Sequence, residues 1–236
     1  EVGGAGSWTR WDGHALANAG GARVIDLTLG NRKGAYTLTG DFVPSAVAGG
    51  KLARLTAPRV AVNGGATLAN RRLAGNLALR SAALAVDAAG TLDLGASAFR
   101  NVRLRARLLQ PAALFPNMTG RDVELRAVLD GAFATAGFDY RLTATRFAFD
   151  DTGFDQARAA GKGRFSKSPV SLPIHFTAAR VTGVGDVAGG MLRNLSVDGV
   201  LRITSKLVTG DDLRVKSDKL TGRINLLLDL ATGDYQ

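Results

Sequence analysis

The chain has 236 residues, of which 46% are hydrophobic and only 6% aromatic, so a sizeable interior must be built mainly from aliphatic side chains. It has no cysteine, which excludes disulfides and thiolate metal sites, and no run of about eighteen apolar residues that could span a membrane. The net charge of +10 favours phosphate-bearing partners such as anionic lipid headgroups or nucleic acid, although a biased base composition would also enrich arginine, alanine and glycine.

Both ends of the sequence resemble positions inside a longer protein. The first residue is Glu1 rather than methionine, and the last three residues follow a Thr-Gly turn. We therefore expect one continuous segment over 1–236, with any signal or anchor outside it.

The first part of the chain alternates apolar and polar residues with a period of two, which predicts strands. Trp8 and Trp11 lie in a Gly- and Ala-rich start. They either pack against the first sheet, which we favour, or contact a membrane interface. Residues 22–29 are predicted to form a strand and 31–34 a hairpin turn.

The alternation is interrupted at 43–50, which is predicted to be a loop or a short helical turn, and resumes over 52–62. It is nearly unbroken over 84–94 and again over 101–108. The polar side of this last strand carries Arg103, Arg105 and Arg107. No aromatic residues interleave with these arginines for base stacking, so a solvated face or one near anionic lipid is favoured over nucleic-acid binding.

The second half of the chain contains four breaks in the strand pattern. Residues 109–117 lie between two prolines and are predicted to form a short helix or a plug. Residues 150–164 are predicted to be a polar loop with one helical turn, 183–190 a flexible connection, and Asp211-Asp212 a turn. The clearest alternation of all follows these breaks, over 213–230.

A local pattern, apolar-x-Gly-x-apolar, recurs six times along the chain. Glycine stands where a large inward side chain is expected, which marks a bend, a bulge or space left for another molecule. The irregular spacing argues against a strict solenoid repeat. The six glycines are Gly40, Gly75, Gly90, Gly131, Gly199 and Gly222.

These elements predict an all-β fold with roughly a dozen strands, short connections and antiparallel neighbours. Helices are too few to cover the apolar face, so the sheet must either curl into a U-shaped groove or fold into a sandwich. Small aliphatic inward residues leave a trough and favour the groove, because a sandwich core is normally filled with bulkier side chains. A trough without polar groups suits acyl chains.

The inward positions are the predicted lining of this lipid groove. In the first half they are Leu77, Leu79, Leu84, Val86, Leu92, Leu94, Val102, Leu104, Val123, Leu125 and Leu129. In the second half they are Phe138, Tyr140, Leu142, Phe147, Phe149, Leu172, Ile174, Phe176, Leu195, Val197, Leu201, Ile203, Leu213, Val215, Leu220, Ile224, Leu226 and Leu228.

The sequence contains no recognisable motif for catalysis, metal binding or phosphate binding. His14 and His175 are far apart in sequence and have no neighbouring nucleophile, and the acidic residues at 150–155 lack calcium-loop spacing. The Gly-rich stretch 183–190 lacks the Gly-Lys-Ser/Thr ending of a phosphate loop. We therefore expect no enzyme activity, no metal site and no cofactor.

Three stretches carry a shared L-x-G-x-L/I-x-L pattern: 73–79 (LAGNLAL), 195–203, and 209–215 running into 220–226. Through them the chain resembles the TamB and AsmA-like proteins of Gram-negative bacteria. The resemblance implies a β-taco, a long curved sheet with an apolar concave face. It also implies a periplasmic bridge that is anchored in the inner membrane, carries phospholipid to the outer membrane and works with an outer-membrane barrel partner.

Three functions follow as hypotheses. In the first, phospholipid tails lie in the groove and headgroups stay at its open seam, and the membrane is contacted only by regions outside this segment. In the second, the groove or an open edge acts as a chaperone-like scaffold for strands of outer-membrane proteins. In the third, the chain is a structural β-solenoid of a surface protein with a filled core.

Overall fold

The computed structural model describes residues 1–166, 168–185 and 191–236, and over these residues the chain is dominated by strands. One α-helix, α1, spans Gly50–Thr56, and 3-10 turns lie at Pro44–Ala46, Pro111–Ala113 and Phe133–Thr135. The strands are β1 (Val2–Ser7), β2 (Arg10–Ala19), β3 (Ala22–Arg32), β4 (Ala35–Phe42), β5 (Val60–Ala69), β6 (Arg72–Arg80), β7 (Leu84–Asp93), β8 (Ala98–Leu108), β9 (Met118–Arg121), β10 (Val123–Ala132), β11 (Gly137–Phe149), β12 (Thr152–Arg164), β13 (Val170–Thr182), β14 (Arg193–Ile203), β15 (Leu207–Lys216) and β16 (Thr221–Asp229).

The strands form one antiparallel sheet whose spatial order follows the chain order, except that β9 lies off this path and pairs with β11. This confirms the predicted all-β class with a long antiparallel sheet and few short helices. Hairpin connections are too short for parallel crossovers, which is why neighbours in the chain are neighbours in the sheet. Among the described residues, no helix is long and apolar enough to cross a bilayer.

By its internal packing the chain divides into two compact units. Unit 1 contains residues 1–106 and 129–133, and unit 2 contains residues 107–128 and 134–236. The single continuous segment expected over 1–236 stays a prediction.

Three hairpins share a turn that begins with a hydroxyl residue and ends three positions later with leucine. The Ser81 backbone N–H donates to the Leu84 carbonyl at 2.9 Å, and the Leu84 N–H donates to the Ser81 hydroxyl at 3.0 Å. The same pair of bonds closes the turns at Thr204 and Ser217. The side chain thus replaces a backbone partner in the turn, which fixes the hairpin register.

The strand predicted over 52–62 is wrong in its first half. Residues Gly50–Thr56 form α1, and β5 begins only at Val60, after Pro58. Leu52 and Leu55 are three residues apart, a spacing that fits a helix face as well as an irregular strand. The Thr56 hydroxyl donates to the Leu52 carbonyl at 2.6 Å and closes the last helical turn.

The loop predicted over 150–164 is also wrong, because residues Thr152–Arg164 form the long strand β12. Its glycines face rings of β11: Gly163 pairs with Phe138 and Gly161 with Tyr140. A Cβ atom at either glycine would overlap the facing ring. The glycines that indicated a loop are therefore strand residues that leave room for the large rings on the neighbouring strand.

The turn predicted at Asp211-Asp212 is a bulge inside β15. Asp212 has a φ of +56°, and the pairing register with β16 shifts between Gly210 and Leu213. The Asp212 carboxylate forms an ion pair with Arg223 on β16 at 2.6 Å. Residues 186–190, the larger part of the predicted flexible connection, lie outside the described residues.

Candidate functional site

Unit 1 contains an apolar cavity of about 380 Å³ on one face of its sheet. Its lining comes from seven successive strands, β2 to β8. A flat sheet of seven strands would be ~29 Å wide at the usual inter-strand spacing. A single cavity of this size can contact all seven strands only because the sheet of unit 1 curves around it.

The cavity arises from the residues that pair across the sheet. In one row of paired residues, glycine and alanine interrupt the leucines; in the next row, three small residues stand side by side on β5, β6 and β7. A run of small side chains beside large ones leaves space that the protein does not fill. The first row is Gly13, Leu29, Leu38, Gly64, Leu77 and Ala88, and the second is Trp11, Asn31, Tyr36, Ala66, Gly75 and Gly90.

Two glycines of the apolar-x-Gly-x-apolar pattern form part of the cavity wall. A Cβ atom at Gly75 would lie 2.7 Å from the Ala66 Cα atom. Gly90 has a φ of +155°, and a Cβ atom there would lie 2.6 Å from the Val102 Cα atom. Both positions require glycine because neighbouring backbones approach closely, so neither can carry a side chain without a shift of the adjacent strand.

The chemistry of the lining is hydrocarbon. Aliphatic side chains, glycine and two aromatic rings supply almost all of it, and none of the described residues that line it is charged. A polar or ionic ligand would lose its hydration in such a site without gaining partners, whereas an alkyl chain needs none. The lining includes Trp11, Ala66, Leu73, Leu77, Leu92 and Val102.

The structure brings three of the predicted groove residues of unit 1 into this cavity: Leu77, Leu92 and Val102. Leu79 and Val86 form the adjacent row with Val62 and are half-buried. Leu84, Leu104 and Leu129 are half-buried outside the cavity lining, and Leu94 is 45% exposed in a turn. Trp11, Tyr36 and Leu38 also line the cavity but were not among the predicted groove residues, although Tyr36 and Leu38 alternate as inward residues of one strand.

The predicted residues of unit 2 lie mainly in packed clusters. The first contains Leu195, Val215, Phe176 and Val197; the second contains Val123, Phe147 and Phe176; the third contains Leu172, Ile174, Val197, Leu201, Ile203, Leu213, Leu226 and Leu228. Phe138 is buried, and Tyr140 and Leu142 are half-buried beside it on β11. Leu125, Leu220 and Ile224 are exposed by 38%, 45% and 47%. Contact of lipid with any of them stays a prediction.

Aromatic rings fill part of unit 2. Phe154 stacks on Phe147 with ring centroids 5.0 Å apart, and both rings contact Phe176. Seven of the ten phenylalanines belong to unit 2, so the low overall aromatic content concealed a local concentration. This density is the signal by which the sequence could have distinguished unit 2 from the aliphatic unit 1.

The segment 109–117, predicted as a short helix or a plug, contributes to this aromatic packing. It contains the 3-10 turn Pro111–Ala113, and Phe115 is only 6% exposed. The Phe115 ring lies 5.7 Å from that of Phe149, which is in turn 6.1 Å from Tyr235. Phe115 therefore helps to cover the aromatic cluster, while the alternative that the segment acts as a plug stays a prediction.

A polar depression of about 640 Å³ lies on unit 2, lined by threonines and by Arg141, Arg158 and His175. His175 lies 2.6 Å from the Asp198 carboxylate, and His14 lies 3.5 Å from that of Glu1. In the ranges that the structure describes, no three His, Asp or Glu side chains are placed to hold a metal ion.

The fold and its cavity define an all-β chain whose first unit carries an open, hydrocarbon-lined cavity. No family model, curated protein or solved structure matches the chain. The resemblance to TamB and AsmA-like proteins therefore remains an expectation from the sequence pattern.

Proposed function

We propose that unit 1 binds the acyl chain of a phospholipid. We also propose that the protein is part of a bridge carrying phospholipids between the two membranes of a Gram-negative bacterium. The observation that carries the first part is the cavity of about 380 Å³ without a charged side chain. This volume lies within the roughly 300–1,000 Å³ typical of ligand pockets. The bridge and its periplasmic location rest on the sequence resemblance, as does an outer-membrane assembly partner.

The energetics of such a site suit a carrier. Burying a methylene group contributes about 0.8 kcal/mol, so ten methylenes would contribute about 8 kcal/mol. Part of this gain offsets the entropy lost when the lipid is immobilised. The remaining affinity is moderate, which allows the lipid to leave again. No bond is made or broken in this function, and we propose no catalytic role for the chain.

Neighbouring positions on β8 allow a sharp test. Val102 lines the cavity, whereas Arg103 is exposed and next in sequence. A photocrosslinking amino acid at Val102 is expected to yield a phospholipid adduct in cells, and the same group at Arg103 is expected to yield little. Mass spectrometry of the adducts distinguishes lipid from polypeptide. Equal lipid capture at both positions, or capture at Arg103 alone, would contradict the proposal.

The exposed edge of β16 favours a second candidate function, that of a chaperone-like scaffold for strands of outer-membrane proteins. Leu220 and Ile224 are 45% and 47% exposed, and in the described part of the chain no strand pairs with the outer edge of 221–226. An added strand from another protein would satisfy these backbone groups. In that case the same photocrosslinker at Ile224 would trap polypeptide.

A further inference from the structure

Consecutive turns of unit 1 are joined by hydrogen bonds into one row at one end of the sheet. The Lys33 N–H donates to the Thr9 carbonyl at 2.6 Å, and the Leu68 N–H donates to the Gly34 carbonyl at 3.1 Å. The Leu94 N–H donates to the Arg71 carbonyl at 2.9 Å, and the Phe133 N–H donates to the Ser97 carbonyl at 2.8 Å. We call residues 7–10, 32–35, 68–72, 93–98 and 133 the turn rim.

Four large apolar side chains are exposed along the turn rim. Trp8 is 96% exposed, Leu94 45%, Leu68 41% and Phe133 38%. The expectation that Trp8 packs against the sheet is wrong, because it stands at the tip of the β1–β2 turn and not on a strand. Trp11, three residues later, is the tryptophan that faces the cavity. The rim therefore carries four apolar side chains that the fold leaves partly or almost wholly exposed, although Phe133 packs on the ring of Phe99 at 4.7 Å.

The turn rim also carries cations that are free to bind an external anion. Arg10, Lys33 and Arg71 form no ion pair with any residue that the structure describes. The carboxylates at this end are engaged: Asp12 pairs with Arg32 at 2.6 Å, and Asp93 lies 3.3 and 3.4 Å from two arginines of neighbouring strands. A hydrogen bond from the Ala96 N–H lowers the pKa of the Asp93 carboxyl. Burial opposes this effect, and the charges of the two arginines add to it. The carboxyl therefore stays ionised and paired near neutral pH.

The turn that presents Trp8 is held in place. Asn31 is 2% exposed, and its side-chain amide donates to the Trp8 carbonyl at 2.9 Å. Its side-chain oxygen accepts a hydrogen bond from the Gly34 N–H at 2.9 Å. One buried side chain thus fixes the β1–β2 turn to the β3–β4 turn, so little entropy is lost when Trp8 binds a surface.

We propose that the turn rim binds the surface of an anionic bilayer, with Trp8 at the membrane interface and Arg10, Lys33 and Arg71 at lipid phosphates. Tryptophan prefers the interface because its ring is apolar and its N–H polar, and basic side chains are attracted to anionic leaflets. Trp8 and Leu94 stand in turns, Leu68 at the end of β5 and Phe133 in a 3-10 turn, so the four side chains lie along one end of the sheet and not around a pocket. A planar surface fits this arrangement better than a peptide.

The turn rim lies directly beside the cavity. Three residues of the cavity lining directly follow or precede a rim residue in the sequence. They are Trp11 beside Arg10, Leu73 beside Arg72 and Leu92 beside Asp93. A lipid could therefore pass from the bilayer into the cavity at the rim. This consequence rests on the proposed function, whereas membrane binding itself does not. It departs from the expectation that only regions outside this segment contact the membrane.

Vesicle sedimentation tests the proposal. We expect the protein to bind vesicles of phosphatidylethanolamine and phosphatidylglycerol, and to bind phosphatidylcholine vesicles far more weakly. Trp8→Ala is expected to weaken binding about ten-fold. Replacing Arg10, Lys33 and Arg71 together by alanine is expected to weaken it about 100-fold at low salt, since each cation near an anionic surface contributes about five-fold. The matched control is Val47→Ala, because Val47 is 86% exposed outside the rim.

The proposal is overturned if the anionic vesicles are not bound, if both vesicle types are bound equally, or if Val47→Ala weakens binding as much as Trp8→Ala. Brominated lipids give an independent readout in a Trp11→Phe variant, where quenching of Trp8 fluorescence is expected and its absence counts against the proposal. Binding of a fluorescent fatty acid to the cavity of the purified protein is measured without any bilayer. Failure of the rim and failure of the cavity are therefore distinguishable.

Discussion

Replacing Leu213 by alanine is expected to lower the free energy of unfolding by about 3 kcal/mol. Leu213 is 2% exposed and belongs to a cluster with Leu201 and Val208. Removing its isobutyl group leaves a void that neighbours on three strands cannot close. The measurement is the midpoint and slope of urea unfolding, followed by circular dichroism.

The matched control is Leu227→Ala on β16, because Leu227 is 41% exposed. The same chemical change there is expected to cost less than about 0.5 kcal/mol. Equal costs at the two positions would show that Leu213 does not stand in a packed interior. The contrast also separates a core residue from a groove residue, since the sequence pattern assigned Leu213 to the lipid groove.

Replacing Ala66 by phenylalanine is expected to weaken acyl-chain binding at least about ten-fold. Ala66 lines the cavity beside Gly75, so the added ring occupies space that a lipid tail would fill. The loss of even two or three buried methylene contacts accounts for an effect of this size. Titration with a fluorescent fatty acid measures the affinity.

Ala61→Phe is the control, because Ala61 lies on the same strand, is exposed and takes no part in the cavity lining. It is expected to bind the fatty acid like the unmodified protein. Both variants should unfold at urea concentrations close to that of the parent, since the ring at position 66 enters empty space and not a filled core. An Ala66→Phe variant that is folded and binds normally would exclude this cavity as the site.

The strands of the fold could be predicted wherever apolar and polar residues alternate, as they do over 84–94. The errors arose where the side chains were small or their spacing ambiguous. Glycine in β12 indicated a loop because the pattern of one strand does not show the rings of Phe138 and Tyr140 that the glycines accommodate. Leu52 and Leu55 were ambiguous because two leucines cannot distinguish a helical from an extended period.

The candidate site could be predicted only in part. Alternation identified Leu77, Leu92 and Val102 as inward residues, but an inward residue can face either a void or a neighbour. The difference depends on which residues pair across strands, as the contrast between Gly75 beside Ala66 and Leu213 beside Leu201 shows. That register is a tertiary property. The exposure of Trp8 followed from its position at a turn tip, which sequence reasoning did not locate.

The most direct test of the central claim is native mass spectrometry of the protein purified in mild detergent. If unit 1 holds an acyl chain, the spectrum should show a bound species of phospholipid mass that is lost in Ala66→Phe and kept in Ala61→Phe. A spectrum with only the bare protein mass, or a lipid adduct that both variants retain equally, would contradict the account.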